Sequence, residues 1–94
     1  MIIAKVIGNI WATKKDESLE GLKFFVVRQI GAPDAKAIVA VDGGVGAGIG
    51  DDVLVTQGSS ARMIYAKEHR ERPVDAVIVG VIDSLEVDRE QWTN

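Results

Sequence analysis

The sequence predicts a small, mostly-β domain: a barrel or sandwich of five short strands, with one helix between the fourth and fifth. Two observations predict it. Five stretches rich in β-branched and apolar residues recur along 94 residues, separated by glycine-, proline- or charge-rich turns. Only one stretch, Ser59 to Glu71, combines an N-cap, helical apolar spacing and a proline stop.

The first strand is read over Met1 to Thr13, "MIIAKVIGNIWAT", broken only by Gly8. Alternation puts Ile2, Ala4, Val6, Gly8 and Ile10 on one apolar face, and Ile3, Lys5, Ile7, Asn9 and Trp11 on the other. Lys14 to Gly21 is a polar, largely acidic loop. The second strand runs from Leu22 to Ile30. Its neighbours Phe24 and Phe25 must face opposite ways, so at least one belongs to the core. "GAPDA", Gly31 to Ala35, is turn chemistry: Pro33 sets φ and Asp34 can accept from nearby amides. The third strand covers Lys36 to Asp42, and the fourth covers Asp52 to Gln57. The fifth, Pro73 to Asp83, is an unbroken apolar run, which predicts cover on both faces. In the helix, Ser59 or Ser60 caps the start and Ala61, Ile64, Tyr65 and Glu68 share a face. "SLEVDREQWTN" is a polar tail carrying Leu85, Val87 and Trp92.

Composition narrows the function classes. The apolar fraction is 47% and the charged fraction 27%, ordinary for a soluble globular domain. No apolar run approaches the ~20 residues of a membrane span. The N-terminus lacks a basic leader and a small-residue cleavage site, so no signal peptide is expected. There is no cysteine, which removes disulfide and thiolate chemistry and fits a cytosolic chain. A net charge of −3 argues against a sequence-independent nucleic-acid binder. Stacking of bases needs aromatics in a basic groove, but the five aromatics and the basic residues are scattered.

The stretch "AVDGGVGAGIGDDVLV" invites a phosphate-cradle reading. Glycines stand at 43, 44, 46, 48 and 50, and no triple has the G-x-G-x-x-G spacing. A strand follows where that motif needs a helix. Gly43 and Gly48 have the outer spacing of a nucleotide P-loop, but Ile49 stands where lysine is required. Asp51 and Asp52 would also repel a phosphate. "GSSAR", Gly58 to Arg62, is not a nucleophile elbow, because Ala61 and Arg62 replace the second glycine. Ser59, Ser60 and Arg62 at a helix start could hold an anion. A helix cap with a surface or interface ion pair is the plainer reading. His69, flanked by Glu68 and Glu71, reads as a solvated helix face. No catalytic residue, metal ligand or cofactor-binding residue is assigned.

Two blocks together carry a family resemblance: "VDGGVGAGIGDDVLVTQGSSAR" and "PVDAVIVGVID". With the opening "MIIAKVIGNIWATKK", they resemble the vertex-protein family of bacterial microcompartments, the EutN/CcmL family. The likeness runs from Met1 to about Asp83. Asp42, Val45 to Gly48, Gly58 to Arg62 and Pro73 to Asp75 match the family pattern. Val81 departs from it, where isoleucine is common.

The resemblance implies an OB-like five-stranded β-barrel with one short helix, assembling as a cyclic homopentamer. Residues 1–83 would form the vertex domain and 84–94 a C-terminal tail. The pentamer would plug the corners of a polyhedral shell around metabolic enzymes in the bacterial cytoplasm. Its partners would be hexameric and trimeric shell proteins, not nucleic acid or a membrane, and no catalysis or cofactor is implied. Val45, Gly46, Ala47 and Gly48 would line the five-fold axis or pore. Small residues there would permit close backbone approach, and Gly46 and Gly48 are expected to take positive φ. Asp42, Ser59, Ser60 and Arg62 would flank the loop and form a candidate subunit interface. A small OB-type nucleic-acid- or ligand-binding module is the alternative, and a flexible hairpin is the alternative for the loop.

Overall fold

β-branched residues dominate each predicted strand, and in the computed structural model they form five strands, which close into a barrel. They are β1 (Ile2–Ile10), β2 (Phe24–Gln29), β3 (Ile38–Asp42), β4 (Asp52–Gln57) and β5 (Ala76–Val81). The structure describes residues 1–12, 17–19, 21–58, 75–88 and 90–92. The expected helix at Ser59 to Glu71 lies outside them, and the one helical element among them is a 3-10 turn at Glu17–Leu19. The order around the barrel is β1-β2-β3-β5-β4, with β4 returning to β1. All pairs are antiparallel except β3 with β5. That parallel seam is short. Only Val41↔Val77 and Asp42↔Ile78 are in register, and Gly43 N–H extends it by donating to the Ile78 carbonyl at 2.9 Å.

The barrel is narrow, and its interior is filled by small aliphatic side chains. Ala4, Val6, Phe25, Val27, Ala40, Val53, Val55, Ala76 and Ile78 form one buried cluster. Three alanines among them leave room for Phe25, as the taper of a small barrel requires. Each fully buried valine or isoleucine contributes roughly 1.5–3 kcal/mol against exposure. A second cluster lies outside the sheet, where Leu22, Phe24 and Val79 cover Val41 and Val77. This explains the unbroken run of β5. Ala76 and Ile78 face the interior while Val77 is buried beneath the outer cluster. Phe24 and Phe25 do point opposite ways, one into each cluster.

The simple alternation read for β1 holds only to Val6. Val6 pairs with Val27 but Gly8 pairs with Val26, so Ile7 is an extra residue at a β-bulge. Beyond it the phase inverts: Asn9, not Gly8, lies opposite the inward Phe25, and Ile10 lies opposite the outward Phe24. A bulge bends and twists its strand. Here the bend lies between the part of β1 paired with β4, Ile2 to Lys5, and the part paired only with β2, Gly8 to Ile10. The strand also ends at Ile10, short of the predicted Thr13, so Trp11 leaves the sheet.

Candidate functional site

The glycine stretch, Gly43 to Asp51, links β3 to β4 and folds over one mouth of the barrel. It is tied at both ends. The Asp42 carboxylate accepts from Val45 N–H at 3.1 Å and from Gly46 N–H at 3.3 Å. The Asp51 carboxylate accepts from Gly48 N–H at 2.9 Å, and Asp51 N–H donates to the Gly48 carbonyl at 3.1 Å. Two further bonds fasten the end of the loop to β1: Gly50 N–H to Val6 O, and Val6 N–H to Asp51 O, both at 2.9 Å. The loop is a hydrogen-bonded cap rather than a free hairpin.

These bonds decide the chemistry. A phosphate cradle offers free backbone N–H groups to an anion. Here the Val45, Gly46 and Gly48 amides already face the chain's own carboxylates, so a second anion would meet negative charge. Among the described residues no group of three or more histidine and acidic side chains could hold a metal ion. Lys5 pairs with Asp52 across β1 and β4 at 2.8 Å, a half-exposed ion pair of modest worth.

The glycines do different jobs. Gly44, Gly46 and Gly50 adopt φ of +93°, +76° and +93°, conformations that side chains resist. Gly48 does not, which corrects the expectation for that position; its φ is one any residue adopts. Gly43 has an ordinary φ but no room, since a Cβ there would stand 2.5 Å from the Ile78 carbonyl oxygen. Of the four residues expected at the axis, Ala47 packs back against the barrel core. Val45 is 39% exposed and points outward, as does Ile49 at 63%. Asp42 flanks the loop as its cap, while Ser59, Ser60 and Arg62 lie outside the described residues, as does His69.

Sequence reasoning missed three features. The close approach at Gly43 needs the β3–β5 register, which no local pattern reveals. Asp51 read only as a charge hostile to phosphate, and nothing in the local sequence marked it as the acceptor of the Gly48 amide. The third is an apolar groove of about 530 Å³ beside the loop, between Trp11, Phe24 and Ile49.

The model of the family described as ethanolamine utilisation protein EutN/carboxysome matches residues 1–83. The chain belongs to the EutN/CcmL family. Its relatives span nearly the same length. The bacterial microcompartment shell vertex protein GrpN of Rhodospirillum rubrum is 44% identical over 89 residues, 92% of this chain and 97% of GrpN. The carboxysome shell vertex protein CcmL of a Nostoc species is 42% identical over 91 residues, covering 94% and 88% of the two chains. Among solved structures, CcmL of Gloeobacter violaceus superposes with a TM-score of 0.80 at 38% identity, covering 94% of this chain and 91% of that one. GrpN, described as a pentameric microcompartment shell protein, superposes with a TM-score of 0.78 at 41% identity, covering 94% and 100%. The EutN/CcmL barrel is thus the fold of this chain, and the nucleic-acid module is not favoured. Phe24 and Phe25 are committed to packing, and among the described residues Trp11 is the one largely exposed aromatic.

Proposed function

We propose that this EutN/CcmL chain is a structural shell protein whose homopentamer closes the vertices of a bacterial microcompartment. The observation that carries the reading is full-length likeness: about four residues in ten are shared with shell vertex proteins, and the barrel superposes on a pentameric one. The site supports it. The glycine loop is an anchored cap whose Val45, Gly46 and Gly48 amides are taken by its own carboxylates, which suits packing better than binding or catalysis. In the ring, Val45, Gly46, Ala47 and Gly48 lie at or near the five-fold axis, and five copies of a stretch without long side chains can approach closely there. Ser59, Ser60 and Arg62 contribute to the contact between subunits. The ring's outer partners are hexameric and trimeric shell proteins, and the chain is not an enzyme.

Light scattering on the purified 10.1 kDa chain tests the assembly. A single species of about five chains is expected, burying roughly 1,200–2,000 Å² or more between neighbours. A monomer or dimer at micromolar concentration would overturn the reading. Deleting the gene in its host tests the role: shells should become elongated or unclosed in electron micrographs, and normal closed shells without a second vertex gene would count against it.

A further inference from the structure

We infer that the C-terminal tail is a clasp: Trp92, seated on Gly31, holds the barrel shut across its weakest seam. The inference concerns the single chain and stands apart from the ring reading.

The seam between β3 and β5 is where the barrel is least well sealed. Cut there, the strand order becomes an open sheet β3-β2-β1-β4-β5, with β3 and β5 as its two edges. Among the described residues two pairs are in register on that seam, against at least four on each of the others. Before Val41 and Val77 the two strands do not pair. A space of about 370 Å³ is lined there by Ile38 and Val39 on one side, and by Gln57, Gly58, Asp75 and Ala76 on the other.

The tail joins the same two edges. It leaves β5 at Ile82, whose N–H donates to Asp52 O at 2.8 Å, and Asp83 to Asp88 are exposed. At Asp88 the chain turns. The Asp88 carboxylate accepts from Glu90 N–H at 2.9 Å, and its carbonyl accepts from the Gln91 and Trp92 amides at 3.0 Å. This turn brings the half-buried Trp92 onto Gly31, in the connection between β2 and β3. A Cβ at Gly31 would stand 2.6 Å from Trp92 Cζ2 and Cη2, so the ring lies against glycine backbone where a side chain would exclude it. The seat is itself fixed, because the neighbouring Ile30 N–H donates to Ile3 O of β1 at 2.9 Å. The tail therefore runs from one edge strand to the turn that leads into the other. An indole carries a large apolar surface, so its seating ties together two strands that the sheet pairs only briefly. On this reading the folded unit extends to Trp92, past residue 83 where the family match ends.

Amide exchange read residue by residue tests the clasp, at one protein concentration and one particle mass by light scattering. The Gly43 amide bonds across the seam, and the Val6 amide bonds Asp51 O on β1, across the barrel from it. Trp92→Ala should speed exchange at Gly43 roughly tenfold or more and change Val6 far less, the sign of local rather than global opening. Trp92→Phe, which keeps a ring on Gly31, should restore most of the protection. Equal acceleration at both amides would make Trp92 an ordinary stabilising contact, and unchanged exchange at Gly43 would make the tail a bystander; either overturns the clasp. If Trp92→Ala fails to fold, the Trp11→Phe chain decides, with Trp92 as its one tryptophan. In low urea, acrylamide quenching of Trp92 and exchange at Gly43 should rise together. A Trp92 that is freely quenched while Gly43 stays protected would overturn the inference.

Discussion

Replacing Gly43 by alanine should damage the barrel more than any other single-methyl change in the glycine loop. The new Cβ would lie 2.5 Å from the Ile78 carbonyl oxygen and 3.0 Å from Val77 Cγ1, and the first of these is backbone that no rotamer change can move. Relief requires β3 and β5 to part. That breaks the 2.9 Å bond from Gly43 N–H to Ile78 O, which continues the shortest seam of the barrel. Loss of the bond costs about 0.5–1.5 kcal/mol and overpacking about 1–3 kcal/mol, together roughly 1.5–4.5 kcal/mol. For a domain of this length each kcal/mol lowers Tm by about 4–8 °C, so a fall of roughly 6–36 °C is expected. Gly48→Ala is the matched control. Its Cβ meets nothing nearer than Asp51 Oδ2 at 3.9 Å, and its φ is ordinary. The assay is thermal unfolding followed by circular dichroism at one fixed protein concentration, since an assembling chain melts in a concentration-dependent way. A Gly43→Ala protein that melts with the parent, or no lower than Gly48→Ala, would refute the reasoning.

Other perturbations separate further contributions. Gly46→Ala meets open space but must hold φ at +76°, so it should cost about 1–2 kcal/mol, seen in the same melts; no loss would mean that the loop relaxes freely. Asp42→Ala removes the acceptor of two loop amides and should cost about 1 kcal/mol, with faster hydrogen exchange at Val45 and Gly46 as its specific sign. Gly31→Ala would place a Cβ 2.6 Å from the Trp92 ring, so in a Trp11→Phe background the Trp92 emission should shift red as the ring is displaced; an unchanged spectrum would place Trp92 elsewhere. Ile78→Ala, at a fully buried position, should destabilise by about 2–5 kcal/mol in urea unfolding, and a smaller loss would mean that the core collapses around the gap.

Much of this architecture was legible one residue at a time. β4 was read with the bounds it has, Asp52–Gln57, because turn residues bracket a short apolar run. The other strands were read too long, since apolar or aromatic residues such as Trp11 continue the pattern past the end of the strand. The two-sided cover of β5 followed from its unbroken apolar run, although what covers Val77 did not. The phase of β1 beyond Val6 was misread, because a bulge costs the strand only one residue and alternation has no mark for it. The loop shows the same division. Its glycine content was plain, and so was its unfitness for a phosphate motif.

The sequence by itself determined the β class, the five strands, the glycine loop and the family likeness. Each of these rests on local spacing and residue type, which the chain carries wherever it folds. Only the tertiary structure decided which glycines are needed and why. Gly43 is constrained by a carbonyl 35 positions along the chain, on a strand reached only through the β3–β5 crossover. It also decided that Ala47 turns inward, and that Trp11 and Ile49, 38 residues apart, share the rim of one groove. Such juxtapositions depend on how the sheet closes on itself. Closure is set jointly by every strand's register and twist, so no single stretch of sequence holds it.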